Sequence, residues 1–273
     1  MNLSANKYRN VRLLSLLLLV VIEVFPIRAQ SAAQPRYFSA AAAQWADSVL
    51  QTLTPVERIG QLFMVAAFSN KDSAHVRDIS QLVTEWKIGG LIFFQGGPVR
   101  QALLTNYYQS QAKVPLMIGI DGEWGLSMRL DSTIRYPRQM TLSAIPDDSA
   151  VYRMGTYIAE DCRRLGIHIN FAPDADINNN VLNPIIGSRS FGDNPDQVFN
   201  KSLMYMNGLL DNGVLACGKH FPGHGNADSD SHLTLPTIHQ PKSEMDTIEL
   251  YPFRKLIDSG LTAMMVAHLH VPA

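Results

Sequence analysis

Cysteine is scarce in this sequence: the only two, Cys162 and Cys217, are too few for a framework of disulfide bonds. Cys162 falls within a helical pattern and Cys217 lies on an apolar strand, so both are predicted to be buried free thiols. No cysteine closely follows the apolar run near the N-terminus, so a lipid-anchored lipoprotein is not indicated.

An excess of charge of one sign is also absent: 23 Lys and Arg residues nearly balance 24 Asp and Glu residues, and the net charge is −1. A chain without a basic excess is not expected to bind nucleic acid. Hydrophobic residues make up 46% of the 273 residues, which is typical of a soluble globular protein with a substantial core. No G-x-G-x-x-G motif follows the first predicted strand, so a dinucleotide-binding fold has no support.

The largely apolar run over residues 13–22 is too short to form a membrane-spanning helix without strain. Basic residues precede this run and Ala29 follows it, a layout that predicts a secretory signal peptide over residues 1–29. An uncleaved N-terminal anchor is the alternative. Cleavage would remove four basic and one acidic residue and would change the net charge to −4. Residues 30–52 are predicted to form an N-terminal linker.

Apolar runs of strand length alternate with helical patterns along the rest of the chain. The clearest helical pattern places Val151, Ile158 and Cys162 on one face. A second helix is predicted to have Asn194 as its N-cap and Pro195 at its first position. Continuous apolar strands between amphipathic helices predict a parallel sheet that is buried on both faces. The six predicted strands occupy residues 62–68, 90–94, 115–120, 167–172, 214–217 and 262–271.

Two folds fit this alternation, and the polar residues at the ends of the strands distinguish between the two folds. A doubly wound sheet and a (β/α)8 barrel both alternate strands with helices, but a barrel carries its functional residues at the carboxyl ends of several successive strands. The stretches IDGEWG, APDADIN and GKHFPGHG stand at the ends of the third, fourth and fifth predicted strands. We therefore predict an α/β fold, an incomplete (β/α)8 TIM barrel over residues 53–273 with about six of its eight units.

The stretch GKHFPGHGNADSDSHLTLP, residues 218–236, is predicted to be a loop because Pro222 and Gly223 prevent a helix. A metal site is one alternative use of its polar side chains. The spacing H-x-x-x-H resembles a zinc motif, but that motif works only where a helix places both histidines on one face. No metal is therefore expected at its candidate ligands, which are His220, His224, Asp228, Asp230 and His232.

Four stretches of the chain, in order, resemble one known family. KHFPGHG followed by DSH looks like the β-N-acetylglucosaminidase branch of family 3 glycoside hydrolases, and IGIDGEWG, NFAPDADIN and NPIIGSRSFGDNPDQV agree with it. The resemblance spans residues 53–273 and implies an N-terminal (β/α)8 barrel, with room for a further C-terminal domain in the full-length protein. One departure is Trp124, which stands where DQEGG-type members carry glycine.

The resemblance implies catalytic roles for the DSH loop. Breaking a glycosidic bond needs a proton donor for the leaving oxygen and a group that traps the anomeric carbon. A histidine can hold or release a proton near neutral pH, and a nearby aspartate can fix its tautomer. In the resembling family His232 would be the acid/base and Asp230 its partner. The nucleophile, an aspartate at the end of the seventh barrel strand, is expected beyond residue 273.

Five further residues are implied by the resemblance to bind the substrate. Charge-assisted hydrogen bonds to sugar hydroxyls give both affinity and orientation, which suits these residue types. The five are Asp121, Arg129, Arg189, Lys219 and His220. Asp176 and His224 have two open interpretations, since each either contacts substrate or holds a loop through backbone hydrogen bonds.

The implied activity is that of a retaining exo-β-N-acetylglucosaminidase. It would hydrolyse terminal β-linked N-acetylglucosamine, for example on peptidoglycan fragments, in the periplasm or cell envelope and without a cofactor. The alternatives are a β-glucosidase or β-xylosidase of the same family and a non-catalytic sugar-binding module, and phosphorolysis stays open beside hydrolysis. Because the expected nucleophile is missing, the 273 residues alone are expected to be inactive.

Replacing His232 by alanine tests the acid/base role. His232→Ala is expected to slow substrates with poor leaving groups by about 10²–10⁴-fold, because only an oxygen that needs a proton benefits from the acid. Activated aryl substrates should be slowed much less. Asp230→Asn should act in the same direction but more weakly, since it leaves the imidazole in place. Steady-state kinetics on a natural disaccharide measure this, and full activity of both variants would show that the assignment is wrong.

Overall fold

The computed structural model describes residues 39–230 and 233–273. The signal peptide predicted over residues 1–29 lies outside the described residues and stays a prediction. Within the described ranges, no helix combines the length and apolar character that crossing a membrane requires.

Six parallel strands form a single sheet in which sequence order and spatial order are the same. Each predicted apolar run overlaps one of these strands, so the predicted order of strands is confirmed. Among the described residues the sheet does not close on itself, because β1 and β6 each pair with only one neighbour. The strands are β1 (Met64–Phe68), β2 (Gly90–Gln95), β3 (Met117–Ile120), β4 (Ile169–Asn170), β5 (Leu215–Phe221) and β6 (Ala263–Val266).

Helices connect each strand to the next, as parallel pairing requires. Side-chain caps begin several of them: Asp72 accepts from the backbone of His75, and Asn194 accepts from Gln197, with Pro195 at the first helical position as predicted. The helices are α1 (Ala40–Gln51), α2 (Pro55–Gly60), α3 (Ser73–Thr84), α4 (Pro98–Gln111), α5 (Gln139–Ser143), α6 (Ser149–Arg164), α7 (Pro195–Leu210), α8 (Lys242–Thr247) and α9 (Leu250–Asp258).

The core lies between the sheet and helices α6 and α7. Leu91, Phe93 and Ile118 are fully buried on the strands, and they belong to the same cluster as Ile158 and Cys162 on α6. The predicted apolar face of α6 is therefore confirmed. The second cysteine, on β5, is also a buried free thiol, as predicted.

Two glycines allow α6 and α7 to approach closely. A Cβ added at Gly208 of α7 would lie 2.4 Å from the Tyr152 carbonyl oxygen and 2.9 Å from the Gly155 Cα of α6. A Cβ added at Gly155 would lie 2.6 Å from the Tyr205 carbonyl oxygen. Real Cβ atoms do not approach other atoms this closely, so only glycine fits where the helices meet.

The described part of the predicted linker differs from the expectation, because residues 40–51 of the 30–52 segment form helix α1. Ser39 caps this helix by accepting from the backbone of Ala42, and its four consecutive alanines have the highest helix propensity. Trp45 and Val49 of α1 line an apolar cavity of about 550 Å³ at the amino ends of the first three strands. Helix α1 thus lies at the end of the sheet opposite the polar carboxyl ends.

A second difference concerns residues 218–236, whose first four residues extend β5 instead of forming a loop. Gly218 and Lys219 pair in register with Met264 and Met265 of β6. The polar side chains on this strand are tolerated because ionic partners inside the barrel satisfy them. The strand therefore carries Lys219 and His220 directly into the interior.

Replacing Gly208 by alanine tests the close approach of the two helices. In an exposed helix this change would stabilise by about 0.5–1 kcal/mol, because alanine loses less backbone entropy than glycine. Here the added methyl group overlaps backbone atoms of α6, so Gly208→Ala is expected to lower the free energy of unfolding by about 1–3 kcal/mol. Urea denaturation of the full-length protein measures the change.

Asn200→Ala on the exposed side of α7 is the matched control, and its effect should stay within about 0.5 kcal/mol. A stabilised Gly208→Ala protein would contradict the packing described for α6 and α7.

Candidate active site

Polar side chains meet at the carboxyl ends of β3, β4 and β5. Asp121 and Glu123 follow β3, Asp174 and Asp176 follow β4, and Lys219 stands near the end of β5. The carboxyl ends of parallel strands share one edge of a sheet, which is where barrels of this kind carry their functional groups. The local fold therefore brings together residues that are almost a hundred positions apart in sequence.

Backbone hydrogen bonds beyond β4 fix the position of these groups along the strand direction. The Ala175 N–H donates to the Lys219 carbonyl at 2.7 Å, and the Lys219 N–H donates to the Pro173 carbonyl at 3.2 Å. The segment after β4 thus continues along β5 past the last residue of the regular strand. The peptide bonds preceding Pro173 and His220 are cis.

The Lys219 ammonium is the centre of a buried ionic network. Its Nζ contacts an Asp121 carboxylate oxygen and lies 2.7 Å from Oε1 of Glu123. Lys219 is 1% exposed and Glu123 is 0% exposed, so the charges of this pair are removed from water. A buried charge is tolerated only when it is paired, and here one ammonium has two carboxylate partners.

Two arginines complete the network on either side of Lys219. Arg189, on a 3₁₀ turn over residues 187–189, binds Glu123 through two parallel contacts, Nε to Oε2 at 3.0 Å and Nη2 to Oε1 at 2.6 Å. This forked geometry is the strongest that arginine makes with a carboxylate. Arg129 contacts the Asp121 carboxylate and donates through Nε to the Asp121 carbonyl at 3.1 Å.

The pKa values of the network groups favour their charged forms. Burial is the largest single influence on Asp121 and Glu123 and opposes their ionisation, but the Lys219 ammonium together with Arg129 at Asp121 and Arg189 at Glu123 outweighs it and lowers the pKa of both carboxyl groups. Burial also opposes the charge of Lys219, yet Asp121 and Glu123 raise its pKa. The site therefore holds fixed charges of both signs at neutral pH.

A second cluster joins Asp176 to His220 and His224. Asp176 Oδ2 lies 2.6 Å from the His220 Nδ1 and accepts the His220 backbone N–H at 3.1 Å, while Oδ1 accepts the His224 N–H at 2.6 Å. Burial, together with the charge of Asp176, raises the pKa of Asp174, and burial also raises the pKa of Asp176. Burial lowers the pKa of His220 to about 4.

Close backbone contacts hold the loops that carry these groups. Asn170 of β4 accepts the Gly122 N–H at 2.9 Å and donates to the Gly122 carbonyl at 3.1 Å, which fixes the turn before Glu123. A Cβ at Gly225 would lie 1.6 Å from the Ile177 carbonyl oxygen, so only glycine allows the loop after β5 to cross the segment after β4. The site is thus preorganised by its scaffold.

Three of these residues have a spacing that fits a metal ion. Asp174, Asp176 and His220 each offer one donor atom, and the three atoms lie within 4.8 Å of one another. Arg189 already lies against this group, with Nη2 at 3.2 Å from the His220 Nε2 and 3.6 Å from the Asp174 Oδ2. A second cation would be repelled by the guanidinium, so the charge arrangement disfavours a metal here.

The sequence of the barrel matches a known family. Residues 54–273 match the model of the glycosyl hydrolase family 3 N-terminal domain. The chain belongs to glycosyl hydrolase family 3. The open parallel sheet is therefore an incomplete TIM-barrel-like fold of this family's N-terminal domain, and the predicted fold class is confirmed.

Relatives of the family 3 domain include hydrolases and a phosphorylase. β-Hexosaminidase A of Pseudoalteromonas piscicida is 32% identical over 248 residues, covering 81% of this chain and 42% of that protein. A family 3 β-N-acetylglucosaminidase from Paenibacillus sp. str. FPU-7 superposes with a TM-score of 0.75 and 38% identity over 81% of this chain and 43% of that one. The β-glucoside phosphorylase BglX superposes with a TM-score of 0.83 and 25% identity over 88% and 43%. The chain spans less than half the length of each.

The structure brings together all five residues predicted to bind substrate. Four of them keep 15–23% of their side chains exposed, whereas Lys219 is almost fully enclosed. The four are Asp121, Arg129, Arg189 and His220. Asp230 is half-buried on the loop after β5, where its carbonyl accepts the N–H groups of residues 233 and 234. His232 lies outside the described residues, so its pairing with Asp230 stays a prediction.

Sequence reasoning missed Glu123 and Asp174. Glu123 stands two residues after Asp121 in IDGEWG, so its position beyond a buried strand was a usable signal. Asp174 stands two residues before Asp176 in APDADIN, and both prove to be fully buried. The loop-holding role left open for Asp176 is observed, because it accepts backbone N–H groups from the segment after β5.

Glu123→Gln tests the buried network. Removing one carboxylate leaves Lys219 and Arg189 short of negative charge in a buried site, so the free energy of unfolding at neutral pH is expected to fall by about 3 kcal/mol. The folded pKa of Glu123 lies below its ordinary value, so its stabilising effect is present above about pH 4.3 and is lost as the pH falls further. The difference in stability between the two proteins should therefore shrink in acid.

Glu160→Gln on the exposed surface of α6 is the matched control and should change stability by less than about 0.5 kcal/mol. Denaturant titrations of the full-length proteins between neutral pH and pH 3 measure both effects. A difference between wild type and Glu123→Gln that did not depend on pH would contradict the role of the ionised carboxylate.

Proposed function

We propose that this family 3 domain is part of a retaining exo-acting β-N-acetylglucosaminidase. In that enzyme the domain would bind the terminal sugar of the glycan substrate and supply the catalytic acid/base. The observation that carries the proposal is the network of opposed charges that joins Asp121, Lys219 and Arg189 at the carboxyl ends of the strands. Fixed charged groups bind sugar hydroxyls strongly and in one orientation. The relatives described as a β-hexosaminidase and a β-N-acetylglucosaminidase support this substrate.

The exposed members of the network would contact the sugar. Asp121 accepts hydrogen bonds from hydroxyls, whereas Arg129 and Arg189 donate to sugar oxygens. Lys219 and Glu123 are enclosed beneath them and hold the contacting groups in place. Direct contact of Lys219 with the substrate, as implied by the family resemblance, stays a prediction.

The chemistry would proceed in two steps. His232 gives its proton to the leaving oxygen as the glycosidic C–O bond breaks, and the carboxylate nucleophile forms a covalent ester with the anomeric carbon. In the second step His232 takes a proton from water, whose oxygen displaces the carboxylate. Asp230 would hold the imidazole in the correct tautomer. The nucleophile is expected from residues beyond 273 in the whole protein.

The predicted signal peptide supports a place in the periplasm or cell envelope, where peptidoglycan fragments offer terminal N-acetylglucosamine. The weakly acidic composition fits a neutral glycan better than a nucleic acid.

Phosphorolysis of a β-glucoside is the second candidate, and the likeness to the phosphorylase BglX favours it. In that reaction inorganic phosphate would take the place of water in the second step and would leave with the sugar. The two candidates differ in the sugar they accept and in the product they release.

The preference for the 2-acetamido group tests the proposed function. The full-length protein is expected to cleave an aryl β-N-acetylglucosaminide at least about 10²-fold faster, in kcat/KM, than the matching aryl β-glucoside, because a site built for a polar group rejects the analogue that lacks it. Equal rates on the two glycosides would rule the proposal out.

The same assay with added inorganic phosphate separates the two reactions. Free N-acetylglucosamine as the sole sugar product supports hydrolysis, whereas a sugar 1-phosphate supports phosphorolysis. Binding of N-acetylglucosamine without turnover by the complete protein would favour the non-catalytic alternative.

A further inference from the structure

Trp124 and Arg138 form a pair beside the candidate active site. The central carbon of the Arg138 guanidinium lies 4.5 Å from the centroid of the Trp124 ring, which is a distance typical of a cation–π contact. Trp124 stands where DQEGG-type members of the family carry glycine, and a glycine has no ring to hold an arginine. The pair is therefore a feature of this chain that the family motif does not imply.

Backbone hydrogen bonds fix the chain on both sides of the pair. The Tyr136 N–H donates to the Trp124 carbonyl at 3.2 Å, so the chain returns beside the tryptophan two residues before Arg138. Arg138 then occupies the N-cap position of α5, where its carbonyl accepts the Leu142 N–H at 3.2 Å. Both backbone segments are thus held in place by the fold itself.

The Arg138 side chain reaches the turn that carries Arg189. Its Nη1 donates to the Ser188 Oγ at 2.8 Å, and Ser188 is the residue directly before Arg189. Glu123, the residue before Trp124, binds Arg189 inside the site. The two turns are therefore joined twice, once through the buried Glu123 and once through the exposed Arg138. This places the Arg138 guanidinium at the rim of the site.

Arg138 differs from the other two arginines of this region in the charge of its partners. Arg129 and Arg189 each contact a carboxylate of the buried network, so both of their charges are paired. Arg138 contacts a hydroxyl and an aromatic ring, and it forms no ion pair with any carboxylate in the part of the chain that the structure describes. An exposed cation that neutral groups hold in place is available to an anionic ligand.

The guanidinium also keeps hydrogen-bond donors for such a ligand. An arginine head group has five N–H donors, and the Ser188 hydroxyl accepts from Nη1 alone. Among residues 39–230 and 233–273, no acceptor lies at hydrogen-bond distance from Nε or Nη2 of Arg138. A carboxylate can therefore bind along the Nε and Nη2 edge through two parallel hydrogen bonds without displacing Trp124 or Ser188.

We propose that Trp124 and Arg138 determine specificity for the leaving group, because they form a subsite in which Arg138 binds a carboxylate on the leaving sugar. An exo-acting enzyme encloses the terminal sugar, so the remainder of the glycan passes the rim of the site. Trp124 and Ser188 orient the guanidinium before the ligand arrives, which limits the entropy lost on binding. The inference rests on the proposed function and adds to it a preference for acidic leaving sugars.

Hydrolysis of two matched disaccharides tests this preference. In both, N-acetylglucosamine is β-linked to N-acetylmuramic acid, and the lactyl group is a free carboxylate in one and a carboxamide in the other. The leaving oxygen is the same in the two. At low ionic strength the full-length wild type is expected to prefer the carboxylate about fivefold in kcat/KM. The difference should lie mainly in KM and should shrink with added salt, because the contact is electrostatic and remote from the reacting atoms.

Three variants assign the preference to the pair. Arg138→Gln removes the charge and is expected to abolish the preference. Trp124→Leu removes the ring that holds the guanidinium and is expected to reduce the preference to about twofold. Arg163→Gln is the matched control, since it removes the same charge from the exposed last turn of α6, which leads to the amino end of β4. This variant should keep the fivefold preference of the wild type.

The outcomes separate this inference from the proposed function. Equal kcat/KM values for the two disaccharides in the wild type would overturn the inference and leave the proposed function standing. A full preference retained by Arg138→Gln would overturn it as well. If Trp124→Leu does not fold, Arg138→Gln decides alone.

Binding of the leaving sugar decides the case in which the wild type cleaves neither disaccharide and the proposed function fails. Calorimetry in a phosphate-free buffer would compare free N-acetylmuramic acid with its carboxamide. Tighter binding of the carboxylate by the wild type than by Arg138→Gln would support the subsite. Equal affinity for the two ligands, or no binding of either, would overturn it.

Discussion

The burial of one ammonium group, that of Lys219, is the constraint on which the rest of the site depends. A lysine that is 1% exposed must be paired, and its partners come from the turn after β3. Asn170 on β4 holds that turn through the Gly122 N–H, so three neighbouring strands must be in register for the charges to meet. The ionic network and the sheet therefore specify each other: a slip of one strand would leave an unpaired charge inside the barrel.

The network also explains how the site can be polar and rigid at once. Arg129 and Arg189 lie at its edges, and each is fixed by a carboxylate whose other contact is the buried lysine. A ligand that meets these guanidinium groups finds them already oriented, so little rotamer entropy is lost on binding. The stability of the fold and the affinity of the site are thus supplied by the same contacts, with Glu123 shared between them.

Much of the fold could be predicted from sequence, because each buried strand is an apolar run and each main helix has a clear face or cap. The end of β5 could not, since local patterns describe GKHF as a polar loop and only the partners of Lys219 make it a strand. Helix α1 was missed although its alanines were a usable signal. In the site, motifs identified Asp121 and Arg189. The position of Glu123 beyond a buried strand was a usable signal for the site, but its pairing with Lys219 depends on which carboxylate faces the lysine, and no sequence spacing encodes that.

The state of His220 bears on the role of the histidine twelve residues later. A general acid at neutral pH must carry a proton a good part of the time, and a group whose pKa is about 4 does not. Burial also lowers the pKa of His224, which disfavours that residue for the same task. Among the histidines of the stretch GKHFPGHGNADSDSH, two are thus held neutral by the scaffold. The proton-transfer role of the third, His232, lies outside the described residues and stays a prediction that rests on the family resemblance.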